Sequence, residues 1–112
     1  MSLSVIILSK TISDTIFDTT MNCIRSLQDS ENFKNNDLEI LLIESNANYL
    51  DNFSYPEEVK VIIPEEEFGF HKFLNIGIKA AKKEFIALCN NDLVFYENWF
   101  SEIIKVAERR KD

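Results

Sequence analysis

The 112-residue chain carries 19 acidic against 12 basic side chains, a formal charge of −7, and is 46% hydrophobic. That balance weighs against a duplex nucleic-acid binder, which needs Lys and Arg to neutralise phosphates, and against disorder, which goes with few apolar residues. No apolar run approaches the roughly 20 residues of a membrane span, no signal-peptide pattern is present, and two cysteines without CxxC spacing read as reduced, buried thiols, so one cytoplasmic domain is expected.

In chain order, residues 4–9 (SVIILS) form a continuous apolar, largely β-branched run, the pattern of a strand covered on both faces. Ser13 or Asp14 is placed to cap a helix over 15–29, with Phe17, Thr20, Met21, Ile24 and Leu27 on one stripe. A polar stretch, DSENFKNND, breaks it. Residues 38–43 (LEILLI) read as a second strand ending on Glu44, Ser45 and Asn46. The polar segment that follows predicts a loop with one helical turn around Tyr49, Leu50 and Phe53. Residues 59–63 (VKVII) read as a third strand stopped by Pro64, followed by a solvated acidic triplet, 65–67.

Residues 68–95 (FGFHKFLNIGIKAAKKEFIALCNNDLVF) predict a turn at Gly69, then a helix with Phe70, Phe73, Leu74, Gly77, Ile78 and Ala81 on its buried stripe. A buried fourth strand over 84–89 then ends at Asn90, Asn91 and Asp92. A last helix is expected over about 96–109. The alternation predicts a three-layer α/β/α domain with a mainly parallel, Rossmann-like sheet in the order 3-2-1-4. In such a sheet ligands bind at the carboxyl ends of the strands, where the order reverses. Ser9, Lys10, Glu44, Asn46, Asn90, Asn91 and Asp92 all fall there. An edge left open is expected to be covered by the last helix or by a second copy of the chain, which makes a homo-oligomer an expected partner state.

With only Gly69 and Gly77 in the chain, neither GxGxxG nor GxxxxGK[ST] is present, so no glycine loop cradles a phosphate. His71 is the only histidine and reads as a helix surface residue, and a zinc site is not expected. Asp92 has two readings: a carboxylate fixing the turn before the last helix, or the single anionic ligand of a hard cation. Mg²⁺ or Mn²⁺ held by one carboxylate, with water and phosphate oxygens completing the shell, fits the second. Glu44 is likewise either a solvated strand-end carboxylate or an acceptor for a ligand.

The pieces SVIIL, CIRSL (23–27), LEILLIESN and residues 68–95 together resemble the donor-binding half of inverting family 2 glycosyltransferases of GT-A fold. The resemblance implies a nucleotide-diphospho-sugar donor and a sugar acceptor that is a glycan, lipid-linked sugar or protein. It places Glu44 on the carboxylate that contacts the nucleotide base, Lys72 and Asn75 on residues near the donor, and Asn90, Asn91 and Asp92 on the metal-binding DxD motif. Asp92 and Asn90 are then the metal ligands, with Ser9, Asn46 and Asn91 beside the donor. The chain departs from the family at Asn90, which replaces an aspartate, and at the LSK tip, which lacks the usual base-stacking run. No residue is assigned as general base. A non-catalytic nucleotide-sugar-binding domain and an interaction domain remain the alternative readings.

Overall fold

The computed structural model describes residues 2–95 and Trp99. The elements in order are β1 (Leu3–Ser9), α1 (Asp14–Gln28), the short α2 (Glu31–Lys34), β2 (Leu38–Glu44), a 3-10 turn (Tyr49–Asp51), β3 (Lys60–Ile62), α3 (Phe70–Ala80) and β4 (Phe85–Asn90). The four strands form one parallel sheet in the order β3-β2-β1-β4. Fold class and strand order are those read from the sequence. The helix expected over about 96–109 lies outside the described residues.

Strand alternation explains the two layers around the sheet. Leu3, Val5 and Ile7 of β1 and Leu38, Ile40 and Leu42 of β2 point to one side, where Met21, Cys23, Ile24 and Leu27 of α1 cover them. Ile6, Leu41 and Ile43 point to the other side and meet Phe73 of α3. Ser13 starts α1 as expected, its hydroxyl accepting from the Ile16 N–H at 3.2 Å.

The polar stretch after α1 breaks it as expected and contains the short α2. Two local expectations change. The buried stripe of α3 runs through Phe73, Ile76, Gly77 and Ala80, while Phe70 and Ile78 are exposed. Phe73 to Ala80 is itself an i, i+3, i+4, i+7 set, so the pattern is rotated around the helix from the one anticipated. β4 pairs with β1 only, and its residues alternate between half-buried and exposed, with Ile86 and Leu88 on the exposed side. It ends the sheet among the described residues, as the expected order implies, but one face is open where a buried strand was anticipated from its apolar run.

The register aligns the strand ends that matter for function. Ser9 pairs with Glu44, and Leu8 with Asn90, so the tips of β2, β1 and β4 end at one level. At the opposite end Ser4 Oγ donates to Glu39 at 2.6 Å, which also accepts from the Lys82 N–H at 2.7 Å, while Lys83 N–H donates to Ser4 Oγ at 3.1 Å. Those bonds fix how the α3–β4 connection enters the sheet, and so where the β4 tip emerges.

Candidate functional site

Two neighbouring features occupy the carboxyl ends of the strands. On the α1 side is a buried polar network. Glu44 continues the Ile40–Leu42 side of β2, and none of its surface is exposed. Its carboxylate accepts from Thr11 N–H at 2.8 Å, Thr11 Oγ1 at 2.5 Å and Asn46 N–H at 2.9 Å. Buried acceptors without donors are costly, and here three donors meet two oxygens. Asn46 closes the corner: its Nδ2 donates to the Thr11 carbonyl at 2.7 Å, and its Oδ1 accepts from Asn48 N–H at 3.1 Å.

Tyr55 reaches this corner because an aromatic group fastens its loop to α1. Phe17 lies 5.1 Å from Phe53 and 5.2 Å from Tyr55, and Tyr49 lies 5.9 Å from Tyr55, distances at which such rings attract. The Tyr55 hydroxyl sits 2.6 Å from Thr11 Oγ1. Burial raises its pKa above the ordinary tyrosine value, and the Glu44 charge adds to the rise, which keeps the hydroxyl a donor. Ser9 Oγ lies 3.3 Å from both Thr11 Oγ1 and Thr20 Oγ1, and Asn91 Nδ2 donates to Thr20 Oγ1 at 3.0 Å.

On the α3 side is an open cleft of about 410 Å³ lined by Leu8, Ser9, Lys10, Ser45 and Phe68. Two apolar walls, two hydroxyl-bearing residues and one cation make a surface suited to a flat ring carrying polar and anionic groups. Phe68 is 63% exposed, and its ring is steadied edge-on by Phe73 at 5.1 Å.

The structure thus joins Ser9, Glu44, Asn46 and Asn91, and sets Asn90 and Asp92, both exposed, beside them at the β4 tip. Glu44 faces away from the cleft and is buried rather than solvated. Lys72 lies in the first turn of α3, 3.6 Å from Glu66 in an exposed pair. Asn75 is exposed one turn further along, and neither residue bonds to the network. Thr11, Thr20 and Tyr55 were not singled out from the sequence. Thr20 alone left a signal, as a hydroxyl on an otherwise apolar stripe, and a buried hydroxyl requires a partner.

Among the described residues no three His, Cys, Asp or Glu side chains are grouped to hold a metal ion. The Asp92 carboxylate has no hydrogen-bond partner among those residues, and Asn90, two residues before it at the exposed tip, carries an amide oxygen, a hard neutral donor. That set fits a divalent cation whose remaining ligands come from water and a bound phosphate.

No curated protein matches the sequence. A crystal structure of S. aureus TarS 1-349 superposes with a TM-score of 0.71 at 16% identity, over 97% of this chain and 33% of that one. A second S. aureus TarS structure gives 0.66 at 17%, over 97% and 20%. The chain spans a third or less of those proteins, and the likeness establishes the common α/β fold. With residues 5–112 matching the description "Glycosyl transferase family 2", nearly end to end, the chain belongs to that family.

Proposed function

We propose that this domain binds a nucleotide-diphospho-sugar and, as the donor half of a glycosyltransferase, supports transfer of the sugar to an acceptor hydroxyl. The observation that carries the reading is the position of the cleft. It opens at the carboxyl ends of β1 and β2, one strand from the Asn90–Asp92 tip, in a chain of glycosyl transferase family 2.

In this reading the base lies between Phe68 and Leu8, Ser9 and Ser45 edge the pocket, and Lys10 offsets phosphate charge. The closed Glu44 corner holds Thr11 and Asn46 in place beside the pocket; a base reaches the carboxylate itself only if Thr11 and Tyr55 move. Lys72 and Asn75 approach the donor from α3, with Lys72 leaving Glu66 for a phosphate. That exchange costs little, because an exposed pair is worth under about 1 kcal/mol. Asp92 and Asn90 would hold Mg²⁺ or Mn²⁺, which when bound neutralises charge on the departing diphosphate. The transfer is an attack of the acceptor oxygen on the sugar C1 with loss of nucleoside diphosphate; the general base is assigned to no residue.

Phe68→Ala tests the base pocket. Its ring is exposed, so the melting temperature should stay near that of the parent protein. A base stacked on an aromatic ring loses roughly 1–3 kcal/mol on truncation to alanine, so nucleoside diphosphate affinity should fall about tenfold. Undiminished affinity, or no binding of any nucleoside diphosphate by the parent, would reject the placement.

A further inference from the structure

With the Thr20 hydroxyl proton on the Ile16 carbonyl, the hydrogen-bond directions of the buried network run through to Asn91. A threonine hydroxyl carries a single proton. Thr11 Oγ1 gives its proton to Glu44, so it accepts at its other contacts, from Tyr55 at 2.6 Å and Ser9 at 3.3 Å. Thr20 Oγ1 gives its proton to the Ile16 carbonyl at 2.8 Å, so it too accepts, from Ser9 and from Asn91. Ser9 is left as the one donor between two acceptors, and its equal 3.3 Å distances suit a shared proton.

At Asn91 this has a definite consequence. With the Thr20 proton on Ile16, the amide presents its NH₂ end, Nδ2 donating to Thr20 Oγ1 at 3.0 Å. The reversed amide would have to draw that proton away from the Ile16 carbonyl. Asn91 Oδ1 is then the free end, with no protein partner among the described residues. Thr20 is fully buried on α1, and the Asn91 it contacts at the β4 tip is half-buried.

We propose that Thr20 is a positioning residue for the ligand: by holding the Asn91 NH₂ group it presents Asn91 Oδ1 as an acceptor for a ligand O–H, from a sugar hydroxyl or a metal-bound water. The proposal rests on the donor-binding reading above. It also explains an amide at this position, because an aspartate would turn an acceptor toward Thr20.

The test uses Thr20→Val, which keeps the shape but loses the oxygen, with Thr20→Ser as the conservative rescue and Asn91→Ala and Asn91→Asp at the tip. The first readout is the Asn91 side-chain NH₂ pair in a nitrogen-15 correlation spectrum, assigned by its absence in Asn91→Ala. Thr20→Val should shift that pair and speed its proton exchange, and Thr20→Ser should restore it. The second is titration with the common nucleoside diphosphates and their sugar conjugates, with and without Mn²⁺. Thr20→Val, Asn91→Ala and Asn91→Asp should each weaken binding about tenfold, the loss of one hydrogen bond, with Thr20→Ser close to the parent. A deficit seen only with Mn²⁺ identifies a metal-bound water, and a deficit in both conditions a sugar hydroxyl.

Parent-like affinity in Asn91→Ala, or tighter binding in Asn91→Asp, overturns the proposal even if Thr20→Val fails to fold. An unshifted NH₂ pair in a folded Thr20→Val overturns it independently. If the parent binds no nucleoside diphosphate, the donor reading fails and Asn91's ligand role with it. The spectrum would still show whether Thr20 holds the amide.

Discussion

At Glu44 two backbone amides and a hydroxyl converge on one carboxylate that has no contact with water. Hydrogen bonds to a charged group are worth about 1.5–3 kcal/mol each, and donors left unmatched in the interior add to the cost of losing them. Glu44→Ala should therefore destabilise the protein by about 3 kcal/mol or more, a large share of a small domain's stability, as measured by urea unfolding. Tyr55→Phe, which removes one neutral donor, should cost about 1 kcal/mol. Equal stability of Glu44→Ala and parent would show that the corner contributes nothing to the fold.

A second residue-scale test concerns Cys23. Burial, with smaller contributions from Cys89 and Asp92, pushes its thiol from 9.0 to about 12, and burial raises Cys89 as well. A raised thiol pKa means that the folded state keeps a proton which the unfolded chain releases above about 9. The stabilisation is complete below that value and falls away as pH rises from about 9 to 12. Parent and Cys23→Ala should show urea midpoints that converge across this window; a difference independent of pH would rule out the linkage. Both thiols should also react slowly with alkylating reagents at neutral pH.

Among the elements, α3 depends most on a single position. A Cβ at Gly77 would lie 2.7 Å from Ile6 Cγ2 and 3.2 Å from Ile6 Cδ1, on a β-branched side chain with nowhere to move in the sheet. Gly77→Ala gains about 1 kcal/mol in helix propensity but forces overpacking that costs about 1–3 kcal/mol. A net loss of about 1 kcal/mol in thermal or urea unfolding is expected; a gain would mean that α3 retreats freely. The four strands and the long helices were legible because unbroken apolar runs and 3.6-residue periodicity reflect burial directly. The face of α3 was not, because Phe70 and Ile78 are as apolar as Phe73 and Ile76, and only the neighbouring sheet decides which set is covered. β4 misled for a related reason: FIALC is apolar at every position, so a strand with one face open among the described residues reads like a covered one. The tips of β1, β2 and β4 were legible from the polar residues that end each run. Thr11, Thr20 and Tyr55 were not, since three separate elements must come together before their hydroxyls form a network.

Across the whole molecule, the order β3-β2-β1-β4 brings a ring-sized cleft and an exposed Asn-Asn-Asp tip to the same end of one sheet. The chain belongs to glycosyl transferase family 2, and the proposed function places a nucleotide sugar at that end. The chain has no glycine loop for a diphosphate, and Lys10 is the one cation among the described residues lining the cleft. On the proposed reading, a diphosphate there is held with a divalent ion bound through Asp92. The most direct measurement is calorimetric titration of nucleoside diphosphate with and without Mn²⁺, on the parent and on Asp92→Asn. The expected result is parent binding that strengthens with Mn²⁺, a variant that loses the metal dependence, and a thermal transition that scarcely changes because Asp92 is exposed. Metal-independent binding by the parent, or an Asp92→Asn protein that unfolds, would contradict the account.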